Sequence, residues 1–157
     1  MTQDPTFGAV KTSRDVRSDF AIEASDALLN MSREATRLGA CFRGQALQDA
    51  HGGLVALTTE LRQFPTLISA LTGPLAVDPA RLRLRDRSLD EQIADLQSWL
   101  ASIIEAHQQS DWLSVADVLE LDLAPMLEGW APLLRACLSD SAGAGMAGAG
   151  VSGGAKP

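Results

Sequence analysis

The chain has 157 residues, an apolar share of 46%, no tyrosine and a formal net charge of −7. That length suits one domain with a single substantial core. Net acidity argues against a phosphate backbone as partner, two distant cysteines are not a disulfide framework, and no run of about 18 apolar residues is present to span a membrane.

The charge is unevenly spread. Residues 1–87 carry 11 basic and 10 acidic groups, whereas residues 88–157 set Arg135 and Lys156 against 10 acids. The start, "MTQDPTFGAVKTSRDVRSDF", lacks the charged-then-apolar layout of a secretory signal, so the cytoplasm is the expected location. Residues 1–17 are poor in anchors, with Phe7 and Val10 the candidates to dock, and are expected to form a flexible segment. Residues 139–157, "SDSAGAGMAGAGVSGGAKP", offer too little apolar surface to offset the entropy of ordering and are expected to be a disordered tail.

Between the tails, residues 18–138 show apolar spacings that alternate between three and four, as helices sharing a seam require. The first helix carries Ala21, Ala24, Leu28, Met31, Ala35, Leu38 and Phe42. The second carries Leu47, Ala50, Leu54, Leu57, Leu61, Phe64, Ile68 and Leu71. The phase slips around Gly44, although "HGG" at 51–53 is an alternative place for the break. At "LTGP", Gly73 and Pro74 stop the second helix. The link that follows contains "RLRLR" (81–85), the one basic run. Its leucines, Leu82 and Leu84, are expected to seal the bundle end while the arginines meet the acidic half; a short strand or docking on a partner's acids are the alternatives.

Ser88 with Glu91 reads as a capping box opening the third helix, whose seam is Leu89, Ile93, Leu96, Leu100, Ile103 and His107. Ser114 with Asp117 reads as a second box opening the fourth, with Leu113 and Val118 as its hydrophobic staple. That seam is Trp112, Ala116, Leu119, Leu123, Met126, Trp130, Leu133 and Cys137. The expected fold is all-α, an antiparallel up-down four-helix bundle with flexible termini. Cys41 and Cys137 then lie at opposite ends, roughly 35 Å apart for a helix of about 23 residues, too far for a disulfide.

The fourth helix contains Pro125 and Pro132, each preceded by alanine. A bent single helix is expected, because the apolar phase continues across both; a fifth helix opening at Pro125 is the alternative. This helix is also apolar off its seam, at Leu113, Val115, Val118, Leu121, Leu127 and Leu134. Either another part of the chain covers that face or it is exposed for a partner. The stretch "DWLSVADVLELDLAPMLEGW" (111–130) resembles a signature of uncharacterised bacterial helical domains, D-W-x-x-x-A-D-x-L-E followed by L-x-P-x-L, and the resemblance implies no known chemistry. The Asp-Trp start is also similar to flagellar export chaperones, a resemblance that implies a partner helix held on an apolar face.

No phosphate loop, dinucleotide fingerprint or nucleophile motif is present, and neither histidine sits in the Glu-x-x-His pattern of di-iron bundles. The expectation is therefore a non-enzymatic interaction module, adaptor or chaperone-like. It would bind a protein partner or a second copy through Leu113, Val118 and Leu121, with no catalytic residue, cofactor or metal and no membrane or nucleic-acid partner. The alternative is a small metal-binding or enzymatic bundle. It would use the end where Cys41, His51, His107 and Asp111 map, although their spacings match no zinc motif.

Overall fold

A computed structural model describes residues 13–66, 69 and 83–143, with side chains described for 19, 21–66, 69 and 83–136. The chain is predominantly helical, with a two-stranded hairpin. Helix α1 (Ser13–Arg43) starts ahead of the expected residue 18 and buries its whole predicted seam from Ala21 to Phe42. Once a packed helix is nucleated, each further residue adds easily, which accounts for the extra turn.

The break after α1 falls at Gly44–Ala46, where Gln45 takes a left-handed φ of 59°. Helix α2 (Leu47–Leu61) runs straight through "HGG". At Gly53 a Cβ would come within 2.5 Å of Leu38 Cδ2, so glycine allows α2 to close on α1. The expectation that α2 continues to Leu71 is corrected: a turn at Arg62–Gln63 interrupts it, and helical backbone resumes at 64–66. Pro65 has no N–H, and its ring would strike the Leu61 carbonyl in a continuous helix. Phe64 nevertheless reaches the core. Ile68, Leu71, the Gly73–Pro74 stop and Leu82 lie outside the described residues, as do residues 1–12 and 144–157.

Part of "RLRLR" is strand. β1 (Arg83–Leu84) pairs antiparallel with β2 (Arg87–Ser88), and the register sets Arg83 opposite Ser88 and Leu84 opposite Arg87. Arg85 and Asp86 both take positive φ, 53° and 65°, the backbone that matches a two-residue hairpin to the twist of its strands. Arg83 Nη2 donates to the Asp86 carbonyl across this turn. The hairpin packs its half-buried Leu84 on the last helix at Gly129, where a Cβ would lie 2.8 Å from a Leu84 methyl. Arg87 reaches Asp95 at 2.8 Å, as an arginine meeting the acidic half should.

Helix α3 (Leu89–Gln108) opens on the expected capping box, with both reciprocal Ser88–Glu91 bonds made. After a tight turn with Ser110 at φ 58° comes the last helix. It is continuous from Trp112 to Gly143, in three parts: α4 (Trp112–Asp117), a π-helical turn (Val118–Leu123) and α5 (Ala124–Gly143). It runs past the expected boundary at 138, and no break precedes Pro125. Its cap is not the expected Ser114–Asp117 box. Asp111 is the N-cap, its carboxylate accepting from the Ser114 backbone N–H at 3.2 Å and from the Ser114 hydroxyl at 2.6 Å. With the cap at Asp111 the staple positions move too, and Leu113 stands 60% exposed. An aspartate is as good a cap as serine, and here it sits one residue before the first helical position.

The π-turn explains how Pro125 fits this helix, whereas Pro132 lies within the regular helix that follows. The i→i+5 bonding of the π-turn, seen as Ala124 N–H donating to the Leu119 carbonyl, takes one more residue into the turn. The widened turn lies just where Pro125 would otherwise meet the Leu121 carbonyl. The added residue also shifts the buried stripe. Val115, Leu119, Leu123 and Leu127 are all buried at four-residue intervals, followed by Trp130, Ala131 and Leu134. Three of the six off-seam apolar residues, Val115, Leu127 and Leu134, are therefore core, because the last helix packs on α1 across one side and on α3 across another.

The alanine before each proline faces α1. Buried Ser32 donates to the Ala124 carbonyl at 2.9 Å, and buried Ser25 donates to the Ala131 carbonyl at 3.0 Å. Seven residues forward along α1 is seven residues back along the last helix, so this pair of helices runs antiparallel in fixed register. The small side chains at all four positions bring the two backbones close.

Candidate functional site

Among the described residues, two places are the candidates. The first is a groove of about 170 Å³, open to solvent, where the hairpin, α3 and the π-turn meet. Leu84, Trp99, Leu121 and Met126 line it with apolar surface; Arg85, Arg87, Asp95 and Asp122 add charge. Leu121 is 67% exposed on the π-turn itself. Arg87 and Asp95 neutralise each other, whereas Arg85 and Asp122 have no ion-pair or hydrogen-bond partner among the described residues.

Gln92 braces the groove from below. It is buried, accepts a 2.7 Å hydrogen bond from the Trp130 indole N–H, and donates to the carbonyls of Leu84 at 3.1 Å and Arg87 at 3.3 Å. One side chain thus ties the hairpin, α3 and the last helix together with its hydrogen-bonding capacity used on both ends. The sequence reading missed it because Gln92 is polar beside a seam read through Leu89, Ile93 and Leu96. Its position three after Leu89 and four before Leu96 was the available signal.

The second place is the aromatic end. His51 and His107 come together edge to face, ring centroids 4.9 Å apart, and both rings meet Trp112, at 5.3 and 5.4 Å. Trp112 stacks on Phe42 at 5.8 Å. His51 Nε2 is buried without a hydrogen-bond partner among the described residues. Of the four residues in the alternative reading, His51 and His107 come together, whereas Asp111 and Cys41 have other partners. The Asp111 carboxylate is spent on Ser114, whose hydroxyl and backbone N–H hold it below the usual carboxylate range. Cys41 is an unbridged thiol, consistent with the expected absence of a Cys41–Cys137 bridge, and its sulfur accepts from Arg37 at 3.6 Å. Among the described residues no three His, Cys, Asp or Glu side chains are placed to hold a metal ion.

Of the three predicted binding residues, Leu113 and Leu121 are exposed, and Leu121 lines the groove; Val118 is half-buried and packs against the core. Leu113 stands apart from the groove lining. The model of a family described as a domain of unknown function (DUF8042) matches residues 19–133. The chain belongs to that family. The match takes in most of α1, most of the last helix and the whole 111–130 stretch. No curated protein and no solved structure matches the chain. No helix among the described residues is long and apolar enough to cross a membrane.

Proposed function

We propose that the chain is a non-enzymatic protein-interaction module, adaptor or chaperone-like, acting in the cytoplasm through the outer surface of its last helix. The observation that carries this reading is Leu121. It is a large apolar side chain 67% exposed on a π-turn, beside a groove with an apolar floor. π-turns are uncommon and concentrate where a helix does work beyond packing. The groove offers apolar contact with one charge of each sign that has no partner among the described residues, which suits holding a side chain better than transforming one. We read the scaffold as an antiparallel up-down four-helix bundle. Three-residue turns at 44–46 and 109–111 support that reading, as does the packing of the last helix on both α1 and α3.

The test is Leu121→Asp. On an exposed position the change should move stability by no more than about 0.5 kcal/mol, while abolishing self-association or capture of the partner. A variant that folds normally and still binds everything the wild type binds removes the proposal.

A further inference from the structure

We infer that the occupant of the groove is a second copy of this chain, joined about a two-fold axis so that Leu121 of each copy enters the groove of the other. This rests on the reading of the groove as a protein-binding surface and names its partner. In a two-fold contact the same patch faces itself, and if residue i meets residue j then j meets i. Such a patch must therefore be complementary to itself, in shape and in charge.

This one is. It carries a projecting side chain, Leu121, beside a hollow floored by Trp99 and Met126. It also carries one cation, Arg85, and one anion, Asp122, neither of which has a partner among the described residues. Set against its own copy, the patch places knob in hollow and satisfies both charges, Arg85 with the partner's Asp122 and the reverse. A ligand bearing only negative charge would satisfy Arg85 and face Asp122 unpaired; one bearing only positive charge would do the opposite. The presentation is rigid: Arg85 sits at the tip of a hairpin whose turn residues are fixed in the left-handed region, and Gln92 pins that hairpin to the helices beneath. A net charge of −7 opposes pairing at long range, and at physiological ionic strength that repulsion is screened beyond about 8 Å.

The experiment is sedimentation equilibrium of the full chain at physiological salt, comparing wild type, Arg85→Asp, Asp122→Arg, an equimolar mixture of those two variants, and Leu121→Asp. Both charge changes are on exposed residues, and aspartate tolerates the left-handed backbone at 85; thermal melts verify that each variant folds. Wild type should form dimers. Each charge variant alone puts like charges together twice per dimer and should weaken association about tenfold or more. In a mixed dimer the two introduced charges, aspartate at position 85 and arginine at position 122, face each other at one contact. The native Arg85 and Asp122 pair at the other, so the mixture should recover association to near wild type.

A wild type that stays monomeric at every concentration overturns the inference. So does a mixture no better than its components. If the wild type is monomeric but Leu121→Asp loses capture of a different protein, the second copy is refuted and the binding-module reading stands. If the wild type dimerises and Leu121→Asp dimerises equally well, the groove is not the interface and both readings fall at this surface.

Discussion

At the scale of single residues, the side chains that hold this fold in register are polar ones placed inside it. Ser25 and Ser32 bond to carbonyls of the last helix, and Gln92 bonds to the Trp130 indole and to two hairpin carbonyls. Each satisfied bond adds about 1 kcal/mol net, but an orphaned buried partner costs about 1–3 kcal/mol. Replacing Gln92 with leucine keeps the volume, strands the buried indole N–H and removes the amide's bonds to the Leu84 and Arg87 carbonyls. The expected loss is at least about 2 kcal/mol in chemical denaturation, with loosening of the hairpin visible as faster amide exchange at Arg83–Ser88. Adding Trp130→Phe to Gln92→Leu removes the stranded donor, so the double variant should lose less than the two single losses summed. Simple additivity would show that the 2.7 Å contact carries no coupling.

At the scale of elements, the π-turn and Pro125 are one device. A π-turn holds one residue more than an α-turn, so deleting the exposed Asp122 should let 112–143 close into a regular helix without rotating its flanks out of the core. Pro125 would then sit in an ordinary helix interior, which costs about 3 kcal/mol. Deleting Asp122 should therefore destabilise by about that amount, and adding Pro125→Ala should recover most of it; thermal melts of the three variants decide. Additive effects would mean the proline and the wide turn are unrelated. The helices and their facing residues were legible in the sequence because packing repeats every three or four positions, and the whole α1 seam is buried as read. The π-turn was not, because Ala116, Leu119, Leu123 and Met126 also fit the regular pattern; the four-residue steps from Val115 to Leu127 were its trace. The α2 break was written in Pro65 and overlooked because the apolar phase survives across it at Phe64. The Asp111 cap was obscured by Ser114, which serves that cap as a bonding partner. In the candidate groove only Leu121 was legible, since Arg85, Gln92, Trp99 and Asp122 come together through tertiary packing that no local spacing records.

At the scale of the whole molecule, the charge asymmetry along the chain becomes pairing across it. Arg43 at the end of α1 meets Glu120 at 2.9 Å and Asp117 at 2.5 Å, which raises its already high pKa, and Arg87 meets Asp95. Near the other end Arg135 returns to Asp26 at 2.6 Å. Exposed pairs of this kind add little each, so the acid sensitivity of the fold should come mainly from carboxylates that close helix ends. Glu91, bonded by the Ser88 backbone N–H and hydroxyl, and Asp111, bonded by the Ser114 hydroxyl and backbone N–H, are both held below their ordinary values. Glu34 is lowered too, by its hydrogen bonds from Arg37. A carboxylate whose folded value is depressed binds fewer protons folded than unfolded, so its stabilisation is present above the unfolded value, near pH 4, and lost as pH falls through the folded one. Melting temperature should therefore change little from these three groups between pH 7 and 5 and fall below about pH 4. Asn and Gln fill the same capping positions without titrating. The Glu91→Gln, Asp111→Asn double variant should consequently stay folded at pH 7 and show a shallower fall between pH 5 and 3. An acid limb as steep as that of the wild type would place the acid sensitivity elsewhere in the molecule.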